Sequence, residues 1–241
     1  MSKTALVFTH EPMEGPALFG DILEEQDFKL QEIFTPRADL HDIDPLSPDL
    51  LLVMGGTMGV YEAGRHPFLL QEMKILKARL EKDLPTLGIC LGAQLMAGAL
   101  GAAVFKGPQG PEIGWHPLTL TPEGEDHPVQ HLGAAKTNMF HWHGDTFDLP
   151  PDAKLLASSR LYDYQAYQIG RCGLGLQCHP EVQDAQGLIE WYDVMAAKGE
   201  ITADYAALLR EQTAQHIENL KQQSRRFFLA WLAAVGFDLK E

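Results

Sequence analysis

The chain has 241 residues, 45% of them hydrophobic and 22% charged, values that exclude a mainly disordered chain. Nineteen Lys and Arg against 33 Asp and Glu give a formal net charge of −14, which repels a phosphate backbone and argues against a nucleic-acid partner. No run approaches the roughly 18 apolar residues of a membrane span, and the start, MSKTALVFTH, lacks the apolar stretch of a signal peptide. The expectation is a cytoplasmic protein without a membrane partner.

In chain order, ALVFT (5–9) reads as a first strand, ALFGDILEEQ (17–26) as a helix and FKLQEIF (28–34) as a second strand. LLLVM (50–54) reads as a buried third strand that stops at Gly55-Gly56, completing a βαβ opening. Residues 67–83 carry Pro67 in the first turn and Leu69, Leu70, Met73, Leu76 and Leu80 at helical spacing, as a crossover helix requires. Residues 84–89 return to the sheet, and 91–100 form the next helix, with Gly101 suited to its end.

The Gly and Pro of FKGPQGPEIGW (105–115) predict an interruption, followed by a strand at HPLTLT (116–121). Strands at 154–159, 165–170 and 173–178, with no helices between them, predict an antiparallel extension of the parallel sheet. From Gln183 onward the pattern is helical, and RRFFLAWLAAVGF (225–237) has a broad apolar face expected to pack on the sheet. The expected architecture is one α/β domain over 1–241, with a core at about 5–195 and a helical extension at about 196–241.

Three cysteines, Cys90, Cys172 and Cys178, fit neither a disulfide framework nor a zinc spacing. Gly88-Ile89-Cys90-Leu91-Gly92 matches a G-x-nucleophile-x-G elbow between a strand and a helix. The small flanking residues let the turn pack against neighbouring strands, and the following helix aims its positive end at the sulfur. By itself this motif leaves a core cysteine as open as a nucleophile. A thiolate that must also deliver a proton needs a base in reach. His179, in GLGLQCHPEV, is held extended by Pro180, so that Glu181, two residues on, projects to the same side and can orient the imidazole. Alone, these two could be surface residues capping a strand; with Cys90 they make a Cys-His-Glu constellation at the carboxyl edge of a sheet. Candidate donors to an oxyanion are the N–H of Leu91 and that of Gly55 or Gly56.

GGT (55–57), GICLGAQLMAGALG (88–101), EIGW (112–115), HWHGDTFDLP (141–150) and LQCHPE (176–181) resemble the class I (triad) glutamine amidotransferases, most of all the free-standing relatives of the GMP synthase glutaminase domain. The resemblance spans roughly 5–195. It implies a flavodoxin-like open sheet, mostly parallel with an antiparallel extension, with helices on both faces and extra C-terminal helices. It also implies hydrolysis of the glutamine side-chain amide and delivery of ammonia to a separate synthetase subunit. Cys90 would be nucleophile, His179 base and acid, Glu181 its orienter, and Gly56 and Leu91 the oxyanion donors. Gln94 would contact substrate, while Gly55, Trp142 and His143 would line it, the last two largely through backbone. The family often has a smaller residue at Trp142, a proline at Thr57 and an aromatic at Cys178; Cys178 is read as core.

His141, His143 and Asp145 also resemble the start of an H-x-H-x-D metal site. No further His/Asp cluster in a recognisable spacing completes it, so neither a metal nor a cofactor is expected. Two other functions compete with the glutaminase: a stand-alone hydrolase of γ-glutamyl peptides, needing no partner, and a non-enzymatic binding module of the same fold. The sequence leaves the ammonia acceptor and the oligomeric state open, a homo-oligomer included.

Overall fold

The computed structural model describes residues 3–134 and 136–240. The strands are β1 (Lys3–Thr9), β2 (Phe28–Phe34), β3 (Leu50–Val53), β4 (Thr86–Ile89), β5 (Val104–Lys106), β6 (Glu112–His116), β7 (Thr119–Leu120), β8 (Met139–His143), β9 (Asp145–Phe147), β10 (Lys154–Ser158), β11 (Ala166–Ile169) and β12 (Gly173–Leu176). The helices are α1 (Ala17–Glu25), α2 (Phe68–Glu81), α3 (Leu91–Ala99), α4 (Pro122–Glu125), α5 (Gln130–Gly133), α6 (Ala185–Ala197) and α7 (Ala203–Ala234).

One eight-stranded sheet, in the order β2-β1-β3-β4-β12-β11-β10-β7, carries the fold. Its first five strands are parallel and its last three antiparallel, the mixed α/β arrangement expected from the sequence. Side chains along the parallel strands alternate between two cores. Ala5, Val7, Leu50 and Leu52 enter the core shared with Leu18, Phe19, Ile22 and Leu23 of α1. Leu6, Phe8, Leu51 and Val53 enter the one shared with Leu69, Leu76 and Leu80 of α2 and Leu91 and Leu95 of α3. This period-two split explains why the strands read as continuous apolar runs: both faces are covered. Arg79 of α2 is fully buried and donates to the carbonyls of Pro45, Pro48 and Pro85 and to Thr86 Oγ1, tying the crossover helix to the start of β4.

Several expectations are corrected. Leu70, assigned to the buried face of the crossover helix, is 47% exposed. The stretch 105–115 contains the end of β5 and most of β6, and the strand expected at 116–121 shrinks to Thr119–Leu120. β6 pairs antiparallel with β8, and β5 with β9, as two ribbons beside the main sheet. Gly114 has φ +108 within β6, so local pattern there opposes a regular strand, and the partner strand supplies the hydrogen bonds that hold it. β12 ends at Leu176, before the predicted 178, and the chain bends ahead of His179.

α7 packs on α1, α5, α6 and β6, and the C-terminal apolar face reaches the large sheet where Phe237 meets Phe28 of β2 edge-on at 5.0 Å between ring centroids. Phe227, Phe228, Trp231 and Leu232 join the α1 core, with Phe228 stacked on Phe19 at 4.0 Å between ring centroids. Such an aromatic pair adds about 0.5–1.5 kcal/mol beyond the area it buries. No helix among the described residues is long and apolar enough to cross a membrane.

Candidate active site

The carboxyl ends of β1, β3, β4 and β12 lie side by side in the sheet and deliver His10, Gly55-Gly56, Cys90 and His179 to one edge. Chain order reverses between β1 and β3, the point where open α/β sheets gather ligands.

Cys90 follows β4 directly and caps the N-terminus of α3, with φ +52 and ψ −107. A non-glycine residue there stores about 1–3 kcal/mol of strain, which its surroundings hold in place. The Cys90 N–H donates to Leu176 O at 2.8 Å and the Gly92 N–H to Met54 O at 3.2 Å. A Cβ on Gly92 would collide with Val53 O, and one on Gly88 would press on the Gly92 backbone and Met96. The elbow therefore needs both glycines because two strands close on it. The thiol points toward the Trp142 carbonyl, 3.8 Å from Sγ.

His179 Nδ1 lies 2.7 Å from Glu181 Oε1, and both residues are over 90% buried. Burial disfavours the imidazolium, but the charge and hydrogen bond of Glu181 and the neighbouring Cys90 outweigh it and hold His179 well above the ordinary histidine value. Its Nε2 is buried without a hydrogen-bond partner among the described residues, the atom left to serve a reacting group. The expected pairing thus forms on the bend after β12, with Pro180 between the partners.

Leu91 N–H opens α3 and Gly56 N–H follows β3; neither has an acceptor among the described residues. The two positions touch, since a Cβ on Gly56 would stand 2.8 Å from Leu91 Cδ2. Gln94 is buried and donates to Gln177 Oε1 at 3.1 Å, so a neighbour unremarked in the sequence holds its amide. The Trp142 ring stacks on Tyr192 at 6.0 Å between centroids, leaving the carbonyl to face the thiol. The His143 side chain turns away from Cys90: Nδ1 meets Asp145 O at 2.9 Å and Nε2 meets Glu112 Oε2 at 3.1 Å. Thr57 Oγ1 donates to Glu11, and Cys178 is fully buried, its thiol pushed up by desolvation.

Sequence reasoning missed His10 and Glu72. His10 Nδ1 lies 2.8 Å from Gly55 O and Nε2 lies 3.1 Å from both Glu72 oxygens, all buried. Burial opposes its charge, yet the Glu72 carboxylate and the Gly55 carbonyl raise its pKa. With both nitrogens donating, His10 fixes the carbonyl of Gly55, next to the Gly56 N–H. Its place immediately after the first strand was a readable signal, because ligand-facing residues collect there.

The H-x-H-x-D reading is also corrected. The Asp145 carboxylate accepts from Tyr61, and Glu112 from the facing strand takes its place beside the histidines. Glu112, His141 and His143 offer ligand atoms within 4.8 Å of one another, all buried, a set whose chemistry could hold a metal ion. Glu112 Oε2 also accepts from Ser159 Oγ at 2.9 Å and Gln165 Nε2 at 2.7 Å. Although burial pushes the Glu112 carboxyl up, these donors and the histidines bring it below the usual range. Complete burial takes His141 down to about 3.

A sulfur on a strained elbow, a buried imidazole–carboxylate pair and two free N–H groups at one sheet edge form the equipment of thiol-based acyl transfer on an α/β sheet. The sequence pattern of the family Glutamine amidotransferase class-I matches residues 23–191. The glutamine amidotransferase-like protein YfeJ of Salmonella typhimurium is 32% identical over 194 residues, 75% of this chain and 77% of its own. GMP synthase [glutamine-hydrolyzing] of Chlamydia caviae is 31% identical over 65% of this chain, which spans only 29% of that protein. Gamma-glutamyl peptidase 4 of Arabidopsis thaliana is 30% identical over 67% of this chain and 63% of its own. A crystal structure of a glutamine amidotransferase from Thermotoga maritima superposes with a TM-score of 0.83 at 30% identity, covering 98% of this chain and all of that one. The chain belongs to the class-I glutamine amidotransferase family.

Proposed function

We propose that the protein hydrolyses the side-chain amide of glutamine and supplies the ammonia to a separate synthetase. The observation that carries this reading is the buried His179–Glu181 pair, at 2.7 Å, beside a cysteine held at φ +52 on its elbow. The Cys90 thiolate attacks the carboxamide carbon, and the carbonyl oxygen takes the negative charge between the Gly56 and Leu91 N–H groups. His179, as imidazolium, gives its proton to the nitrogen as the C–N bond breaks, and ammonia leaves. Water then loses a proton to His179 and attacks the γ-glutamyl thioester; the C–S bond breaks, releasing glutamate and restoring the thiolate. Glu181 holds the imidazole's tautomer and steadies its charge throughout. Gln94, Gly55 and the backbone of Trp142 and His143 line the glutamyl portion.

The test is glutamate release from glutamine, with mass spectrometry of Cys90 after rapid quenching. A γ-glutamyl adduct on Cys90 is expected, absent in Cys90→Ala. No adduct under any condition overturns the reading. A second substrate class, γ-glutamyl amides larger than glutamine, is favoured by the likeness to a γ-glutamyl peptidase over two thirds of the chain. It uses the same groups and no partner.

A further inference from the structure

The reaction proposed above asks nothing of His10 and Glu72, although the fold buries both, at 1% and 0% exposure. His10 follows β1 directly, and Glu72 reaches it from α2, its two oxygens each 3.1 Å from His10 Nε2. Packing alone does not call for such a pair, since apolar residues of similar volume often stabilise a core as well or better. The pair has a further contact that does call for it: His10 Nδ1 lies 2.8 Å from the carbonyl oxygen of Gly55.

Gly55 O and the Gly56 N–H belong to one peptide group. That peptide is trans, so its N–H points opposite to its C=O. With the oxygen turned to His10, the N–H faces the other way, and it has no acceptor among the described residues. A peptide between two glycines has no side chain to resist turning over about its flanking bonds, and turned over it would put a carbonyl oxygen where the developing oxyanion needs a donor. The stiffness has to come from outside, because a Cβ on Gly56 would stand 2.8 Å from both His10 Cβ and Leu91 Cδ2. His10 supplies it by gripping the oxygen. Donating from both nitrogens, the ring also draws electron density toward Gly55 O and makes the N–H of the same peptide a stronger donor. Glu72 and the Phe68 ring, stacked on the imidazole at 6.1 Å between centroids, hold His10 in turn.

We propose that His10, oriented by Glu72, is a positioning residue of the oxyanion site: it locks the Gly55–Gly56 peptide with its N–H turned to the reacting carbonyl and touches no substrate itself. The inference rests on the Cys90–His179–Glu181 reading and adds two residues to it. Releasing the peptide removes an interaction made to the charge that develops in the transition state, so the loss falls on kcat and leaves the reactivity of the thiol as it was.

The experiment sets glutamine hydrolysis, which forms an oxyanion, beside alkylation of Cys90 by iodoacetamide, in which the sulfur displaces iodide from carbon and no oxyanion forms. In His10→Gln the amide nitrogen takes the place of Nε2 toward Glu72 and leaves Gly55 O without a donor. In His10→Asn it takes the place of Nδ1 toward Gly55 O. For His10→Gln, kcat is expected to fall about 10- to 100-fold, part of the roughly 10²- to 10³-fold that one oxyanion donor carries. KM and the alkylation rate should stay within about threefold of wild type, and His10→Asn should recover most of the lost kcat. An unchanged kcat in His10→Gln, an equal fall in its alkylation rate, or no recovery in His10→Asn would each overturn the assignment of His10; a γ-glutamyl adduct on wild-type Cys90 then leaves the triad reading standing. If neither variant folds, Glu72→Gln decides, since it keeps an acceptor for Nε2 and removes only the charge: kcat should fall about tenfold at a constant alkylation rate, and an unchanged kcat overturns the assignment. No adduct on the wild type overturns both readings.

Discussion

Replacing Glu181 by Gln keeps the shape and an acceptor oxygen beside His179 and removes only the charge. With Nδ1 and Oε1 at 2.7 Å, and an effective dielectric of about 20, the attraction between carboxylate and imidazolium is about 6 kcal/mol. Part of this offsets the burial of the two groups, each less than 10% exposed. Without the charge, burial prevails and the imidazole pKa falls, so His179 no longer holds the proton that the leaving nitrogen needs. We expect kcat for γ-glutamyl transfer to fall about 10⁴-fold, the loss seen when a neutral amide replaces a triad carboxylate. Alkylation of Cys90 by iodoacetamide across pH should move its imidazole-dependent limb to lower pH. Stability carries the same signature. A histidine raised on folding stabilises fully below its unfolded value of about 6.5 and loses that contribution as pH rises through the folded value. The gap in unfolding free energy between wild type and Glu181→Gln should therefore be widest in mild acid and close in base. An unchanged alkylation profile, with kcat within threefold of wild type, would refute the reasoning.

Three further outcomes follow from contacts elsewhere. In Gly56→Ala the methyl would stand 2.8 Å from His10 Cβ and Leu91 Cδ2; we expect about 1–3 kcal/mol of lost stability and a kcat lower by about 10²-fold, measured by denaturant unfolding and glutamate release. Thr213 Oγ1 donates to Leu209 O and accepts from Trp115 Nε1 and Tyr192 OH, so Thr213→Val leaves two buried donors unpaired and should cost about 2–5 kcal/mol in urea unfolding. His141 is neutral in the fold because burial takes it down to about 3; its contribution is present above the unfolded value of about 6.5 and is lost as pH falls. His141→Gln should flatten the acid side of the stability profile between about pH 6.5 and the folded value of about 3.

The parallel half of the sheet was legible because β1, β3 and β4 are short apolar runs punctuated by Gly and Asp, and both sheet faces demand apolar residues. The candidate triad was legible for a local reason: Glu181 is two residues from His179, and Cys90 sits inside a five-residue turn whose glycines are sterically required. β6 and β8 were not legible. Gly114, the flanking prolines and the alternating histidines give no strand signal, and their pairing is fixed by residues 112–116 meeting 139–143 across a long excursion. Glu112 could not be joined to His141 and His143 for the same reason. His10 and Glu14 share the loop after β1 and Glu72 lies in α2, two segments far apart in sequence that the β1–β3 switch in strand order brings together beside Gly55.

These placements divide the support of the candidate site into two parts. Cys90, His179 and Gly56 hang from the carboxyl ends of the parallel strands, and the first turn of α1 is anchored to the catalytic loop by the Leu18 N–H donating to Glu181 O. The Trp142 carbonyl hangs from the β6–β8 ribbon, and that ribbon rests on α6 and α7 through Trp115, Thr213, Tyr192 and Tyr205, whose hydroxyl donates to Ile113 O at 2.8 Å. α7 reaches the candidate site by two routes: through the ribbon to the Trp142 carbonyl, and through α1, where Phe228 stacks on Phe19 and the Leu18 N–H donates to Glu181 O. The elbow, closed in by Val53 and Leu176, keeps the Cys90 sulfur between these two supports, so both routes meet at one atom.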